Sequence, residues 1–332
     1  MKKVLLVGTG GTIASSNGPE GLAPVFDVAA LLTFIPEAFN LCELHPLQVM
    51  NIDSTNMQPN HWLEIAAIIR ENYPRYDGFV ITHGTDTLAY TAAMLSYVIQ
   101  NSRKPVVITG SQKPIIAPKT DAKKNLLDAI RFACENLGGV YVVFDGKVIN
   151  GCRAVKIRTK SRNAFESVNY PYVADINKKE IHYNPAYPFP SQPMETRFFT
   201  SVATDVVLIK LTPGFQAGLF DFVKGKYRGV VIESFGSGGV PFIGAGNILD
   251  KIADLIHSGI IVVLTTQCLF EGENLHLYEV GQKVMKNRVI PAYDMTTEAA
   301  VTKLMWILGG TSDFEEVRKL FLTPVNNDLT PQ

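Results

Sequence analysis

Short apolar runs, rich in β-branched residues and closed by turn residues, recur through the first half of the chain. They are Lys3 to Val7 (KVLLV), Gly78 to Thr82 (GFVIT), Pro105 to Thr109 (PVVIT) and Val140 to Phe144 (VYVVF). Apolar at consecutive and not alternate positions, they predict strands covered on both faces, as in parallel sheets. The intervening segments have helical spacing. Asn60 offers an N-cap, and Trp62, Ile65, Ile68 and Ile69 form one apolar stripe on a helix from His61 to Tyr73. Thr87 to Gln100 is apolar almost all round, which predicts a helix covered on most sides. Thr120 or Asp121 caps a further helix reaching Cys134. This alternation predicts a two-domain α/β protein whose larger N-terminal domain, 1–185, is a mostly parallel sheet with helices on both faces. His182 to Phe198 has four prolines and little periodicity, so 186–204 reads as a linker. A smaller C-terminal α/β domain, 205–332, follows, with strands at Asp205 to Leu211, Gly229 to Glu233 and Ile260 to Thr265.

Two of the predicted strands end in threonine-bearing turns, Thr9-Gly10-Gly11-Thr12 and His83-Gly84-Thr85-Asp86-Thr87. The carboxyl edge of an open α/β sheet is where ligands bind, so two hydroxyl-rich turns there point to one shared site. Gly8 and Gly10 have the spacing of a dinucleotide fingerprint, but Ile13 stands at its last glycine position. Asn17-Gly18-Pro19 also prevents the helix that would hold a pyrophosphate. What remains is flexible backbone that can place the Thr12 hydroxyl over the sheet edge. The stretch Ser15 to Pro24 (SSNGPEGLAP) has loop composition and predicts a mobile loop, not a helix. A threonine hydroxyl needs a base or a special hydrogen-bond partner to act as a nucleophile. Asp86 beside Thr85 can hold a lysine there, and a lysine partly removed from water can take a proton. Spacing does not decide which lysine; Lys156, leaving the strand and turn near Val148 to Gly151, is the best placed. No carboxylate or serine pattern frames His83 as part of a triad, so it reads as a packed, hydrogen-bonded residue.

Charge narrows the ligand. Lys plus Arg and Asp plus Glu are balanced at 31 each, so no global field favours nucleic acid or an anionic membrane. A small neutral or zwitterionic ligand fits better. The N-terminal apolar run meets a glycine loop instead of a cleavage site, and no stretch reaches the roughly 20 apolar residues of a spanning helix. Cys42, Cys134, Cys152 and Cys268 are scattered without a CxxC pair, which suggests free thiols in the cytoplasm and no metal site.

Taken together these segments resemble the L-asparaginase family of threonine amidohydrolases, and among them the bacterial cytoplasmic type I enzymes. The signatures are TGGTIA, Thr9 to Ala14, and DGFVITHGTDT, Asp77 to Thr87. Weaker matches follow in the same order at Asp53-Ser54-Thr55 with Met57, Thr109 to Gln112, Arg153 with Lys156, and Asp294-Met295-Thr296 through Thr302-Lys303-Leu304. The resemblance implies hydrolysis of L-asparagine to L-aspartate and ammonia through a threonine acyl-enzyme, with no cofactor. It ranks Thr12 first and Thr85 second as nucleophile, with Thr85, Asp86 and Lys156 handling protons. Asp53, Ser54, Thr55 and Asp86 would hold the substrate's α-amino and α-carboxylate groups. It also implies a homotetramer, a dimer of intimate dimers, in which a neighbour's small domain closes each site.

The chain departs from the pattern in three places. Leu22 stands where many relatives carry a loop tyrosine, for which Tyr293 is a candidate substitute. Glu233 replaces an arginine, and Val155 a threonine, associated with activation by a second asparagine, although Cys268 is retained; activation is therefore expected to be weak or absent. Two other readings compete: an archaeal glutamyl-tRNA amidotransferase subunit, which would carry an extra N-terminal domain and a basic tRNA footprint, and a non-catalytic amino-acid sensor.

Overall fold

The computed structural model describes residues 1–18, 21–189, 194–275, 281–283 and 288–331, and divides into two units, Met1–Thr200 and Ser201–Gln332. The first unit is built on an eight-stranded sheet. Its order is Glu180–Tyr183, Ala174–Asn177, Lys147–Asn150, Gly139–Phe144, Pro105–Thr109, Gly78–Thr82, Lys3–Gly10 and Glu43–Ile52. The five strands from Gly139–Phe144 to Glu43–Ile52 are parallel to one another. The consecutive apolar runs fall at its centre, where Val4, Leu6, Val80, Ile81, Val107 and Ile108 are fully buried.

Two kinds of strand escape the apolar-run signal. Glu43–Ile52 (ELHPLQVMNI) is an edge strand, paired only with Lys3–Gly10, so polar residues and Pro46 are tolerated in it. At the other edge the sheet turns antiparallel through short hairpins. The Asp145-Gly146 pair, with φ of 48° and 79°, has the doubly positive form of a two-residue hairpin turn. Lys178-Lys179 takes the same form at 48° and 75°, which no turn-residue rule would select.

The helices lie where their spacing places them, with shifted ends. The predicted His61 helix runs over Pro59–Asn72, with proline at its first position, and its N-cap is Gln58 and not Asn60. The His61 ring accepts from the Gln58 N–H at 3.1 Å. Leu88–Val98 is buried at every position but Tyr90, packed between Pro59–Asn72 and the sheet of its own unit. Ala122–Ala133 has Asp121 at its N-cap position, with no side-chain cap bond there, while the hydroxyl of the preceding Thr120 accepts from Ala122 N–H at 3.1 Å. Ser15 to Pro24, expected as a loop, contains an antiparallel pair, Ser15–Gly18 with Gly21–Pro24; residues 19 and 20 lie outside the described residues. Within 186–204, Tyr187 is buried in the core of the first unit and Arg197–Phe198 pairs with Ile99–Gln100. Residues 190–193 of that stretch lie outside the described ones.

The second unit has a four-stranded parallel sheet, Val206–Lys210, Gly229–Ser234, Ile261–Thr266 and Ile290–Pro291. Leu249–His257, Thr297–Leu308 and Phe314–Leu322 are helices of this unit. Beneath Thr297–Leu308 a fully buried ion pair, Lys303 Nζ to Asp328 Oδ2 at 2.7 Å, ties the helix to the C-terminal segment. Lys303 also donates to the Thr323 carbonyl at 2.8 Å.

Candidate active site

Three turns of the first unit meet at the carboxyl edge of its parallel strands. Lys3–Gly10 delivers Gly11 and Thr12, Glu43–Ile52 delivers Asp53 to Thr55, and Gly78–Thr82 delivers His83 to Thr87. They meet backbone to backbone. A Cβ on Gly11, whose φ is +80°, would stand 2.4 Å from the Gly84 Cα; one on Gly84 would stand 2.5 Å from the Ser54 hydroxyl. Only glycine permits this approach, and it brings threonines distant in sequence into one place. The Gly11 N–H donates to the Ile52 carbonyl at 2.9 Å, and the Thr87 hydroxyl to the Ser54 carbonyl at 2.8 Å.

Lys156 completes the group. It ends the strand Ala154–Lys156, paired with Phe165–Ser167, and its Nζ donates to Thr85 Oγ1 at 2.8 Å and to Asp86 Oδ1 at 2.5 Å. The Lys156 side chain is 16% exposed and that of Asp86 54%, so the pair sits at the mouth of the site with the amine on the inner side. Thr85 is buried. Thr12 is half-buried at the start of a single 3₁₀ turn, and its hydroxyl makes no hydrogen bond among the described residues. A hydroxyl left uncommitted is available to a ligand.

The residues expected to hold substrate divide. Asp53 is exposed, and its Oδ1 accepts both the N–H and the hydroxyl of Thr55, each at 2.8 Å. Thr55 thus orients Asp53 through Oδ1. Ser54 is buried beneath Gly84. Leu22 is half exposed on the Gly21–Pro24 strand. Tyr293, Glu233 and Cys268 belong to the second unit. There the Glu233 carboxylate is already engaged, accepting from Thr297 Oγ1 at 2.7 Å and facing Lys210 Nζ at 3.2 Å.

Several residues support these turns from the buried side. His83 is fully buried, and burial pulls its pKa down to about 4, which makes it a neutral hydrogen-bonding group. The turn after Pro105–Thr109 is held by Asp121, whose carboxylate accepts the N–H groups of Gln112 and Lys113 at 2.8 and 3.0 Å. Asn125 donates to the Gly110 carbonyl at 3.0 Å. The one signal for these residues is polarity where a buried face calls for apolar side chains: Asn125 adjoins Leu126 on the inner side of Ala122–Ala133. Trp62, read as part of an apolar stripe, and Thr91, within the helix read as apolar almost all round, both carry side-chain hydrogen bonds.

A glycine turn that lacks the dinucleotide fingerprint, uncommitted and lysine-bound threonine hydroxyls and a carboxylate at one sheet edge are groups suited to a hydrolase site. Residues 3–188 match the family model "Asparaginase, N-terminal" and residues 205–321 the "Glutaminase/Asparaginase C-terminal domain", so the chain belongs to the asparaginase family. The L-asparaginase of Thermococcus kodakarensis is 39% identical over 331 residues, 99% of each chain, and its solved structure superposes with a TM-score of 0.92. L-asparaginase I from Vibrio cholerae superposes at 0.89 with 29% identity and 99% of each chain covered. A glutamyl-tRNA(Gln) amidotransferase subunit from Pyrococcus abyssi is 36% identical, with all of this chain matching 77% of the relative.

Proposed function

We propose that this chain is an L-asparaginase, hydrolysing the side-chain amide of L-asparagine to L-aspartate and ammonia. The observation that carries this reading is Lys156 Nζ, which bridges Thr85 Oγ1 and Asp86 Oδ1 across a turn packed on Gly11. Thr12 Oγ1 attacks the amide carbon, and its proton passes to the Thr85, Lys156 and Asp86 group. That group protonates the departing nitrogen, releasing ammonia and leaving an acyl ester on Thr12. Water then adds to the ester carbonyl, L-aspartate leaves, and the Thr12 hydroxyl is restored. Asp53 Oδ2 and Asp86 face the substrate's α-amino group, and Ser54 with Thr55 its α-carboxylate. The full-length likeness to asparaginases supports this reading.

Ammonia release from L-asparagine by wild type, Thr12→Ala and Thr85→Val tests it. Loss in both variants is expected; near wild-type turnover by Thr12→Ala would move the nucleophile to Thr85, and an inactive wild type would end the asparaginase reading. The amidotransferase relatives support a second reading, in which the ammonia serves transamidation of glutamyl-tRNA. Binding of tRNA would favour it.

The further expectations are a homotetramer, checked by light scattering, and a cytoplasmic, type I enzyme. The four cysteines are free thiols, which suits a reducing compartment, and no described helix is long and apolar enough to cross a membrane.

A further inference from the structure

The Gly84 turn is held from its buried side by a chain of three hydrogen bonds that runs through two helices. Trp62 Nε1 lies 2.9 Å from Thr91 Oγ1, Thr91 Oγ1 lies 2.9 Å from His83 Nε2, and His83 Nδ1 lies 2.7 Å from the Gly84 carbonyl oxygen. All four residues are buried. The chain has a single direction. An indole N–H can only donate and a peptide carbonyl can only accept. Thr91 therefore accepts from Trp62 and gives its own proton to His83 Nε2, and His83 carries its hydrogen on Nδ1, toward Gly84. The burial that holds this imidazole neutral leaves it no competing protonation state near neutral pH.

We infer that Trp62 and Thr91 are positioning residues, acting through His83 to fix the orientation of the Gly84–Thr85 peptide at the reaction centre. The inference rests on the asparaginase reading above. Gly84 lacks a side chain, so nothing of its own opposes rotation of the peptide that follows it. The peptide is trans, so its C=O and N–H point opposite ways. With the Gly84 carbonyl turned to His83, the Thr85 N–H is directed away from the buried imidazole. Among the described residues that N–H meets no protein acceptor, although Thr85 itself is buried. An unpaired buried N–H is uncommon, and one beside a lysine-bound hydroxyl suits an oxygen that becomes negative during attack on the amide. Rotation of the peptide would turn that donor out of place, and the hydrogen bond to His83 opposes it. His83 can hold the carbonyl only while its hydrogen is on Nδ1, which is what the Thr91 hydroxyl secures at the opposite nitrogen.

The test compares steady-state kinetics on L-asparagine for the full-length wild type, Thr91→Val, Thr91→Ser and Trp62→Phe, with thermal melting in parallel. Valine keeps the shape of threonine and removes the hydroxyl; serine restores it. Loss of a single oxyanion donor costs about 100-fold or more, so partial misplacement predicts a kcat about 10-fold to 100-fold lower for Thr91→Val. KM should stay within about twofold, because the Asp53 to Thr55 turn is untouched, a loss confined to the transition state. Thr91→Ser should recover most of kcat, and Trp62→Phe should fall in the same direction by a smaller factor. A Thr91→Val enzyme that melts earlier but keeps its kcat would reduce the chain to a structural role and overturn the inference, as would a rise in KM alone. If Thr91→Val does not fold, Trp62→Phe decides by the same kcat and KM criteria. A wild type that releases no ammonia fails one step earlier, and overturns the asparaginase reading together with this inference.

Discussion

Gly11 and Gly84 are packed so closely that a methyl group on Gly11 would lie 2.3 Å from the Gly84 nitrogen. Neither backbone has room to withdraw, because Gly11 is pinned to Ile52 and Gly84 rests on Ser54 and bonds His83. Gly84→Ala keeps an accessible backbone conformation yet must push Ser54 aside. Displacement of catalytic groups by about 1 Å costs on the order of 100-fold, so kcat/KM on L-asparagine should fall by at least that much while the circular dichroism of the fold is kept. Turnover within a few fold of wild type would show that the turns need not touch.

Lys156 is the only residue joined to both Thr85 and Asp86 among the described residues. Lys156→Met keeps its length and removes its proton. General acid–base groups contribute roughly 100- to 10,000-fold, and a loss of kcat in that range is expected in an ammonia-release assay. Asp86→Asn should lose less in kcat and raise KM as well, since the carboxylate is also proposed to bind the substrate's α-amino group.

His83 links the site to stability. Its folded pKa of about 4 lies below the ordinary value of 6.5, so the unfolded chain takes up a proton first as pH falls. Stability from this group is fully present above about pH 6.5 and is lost as pH falls toward 4, by about 3 kcal/mol at 1.36 kcal/mol per unit. Denaturant midpoints measured between pH 7 and 4 should follow that slope, and His83→Gln should flatten it.

Glu273, in the second unit, has the opposite slope. It is buried with Oε2 unpartnered among the described residues, and burial pushes its pKa up to about 8. Its Oε1 accepts the Tyr293 N–H at 3.0 Å. The folded state keeps the proton while the unfolded chain releases it above about pH 4.5, so stability is lost as pH rises from 4.5 to 8. Glu273→Gln keeps the acceptor and removes the ionisation, and should melt several degrees higher than wild type at pH 8.5 but equally at pH 4.5.

At Glu233, bound by Thr297 and Lys210, a carboxylate would repel the α-carboxylate of a second asparagine. Initial rate should rise hyperbolically with asparagine concentration. A sigmoidal curve would contradict this.

Much of the architecture was legible because burial on both faces leaves a continuous apolar trace. KVLLV, GFVIT, PVVIT and VYVVF all lie on interior strands of the sheet. The edge strand Glu43–Ile52 left no such trace, because one side faces no partner and its composition is free. In the site, Thr85, Asp86 and Lys156 were readable by residue type, and the structure brings them within hydrogen-bond reach. Trp62, Thr91, Asp121 and Asn125 were not, since each occupies a helix position or helix boundary that an apolar side chain or a simple cap would fill equally well. Their polarity acquires meaning only when the partner across the fold is known.

The Lys303–Asp328 pair gives the short stretch around Asp328 a weight out of proportion to its length. Removing Asp328 would take the counter-ion of this pair from an enclosed lysine charge, and breaking a buried pair on one side costs roughly 3–5 kcal/mol. Displacing the segment that carries Asp328 would therefore loosen the Thr297–Leu308 helix from within. A segment that belongs to no helix or strand thus braces the second unit from inside.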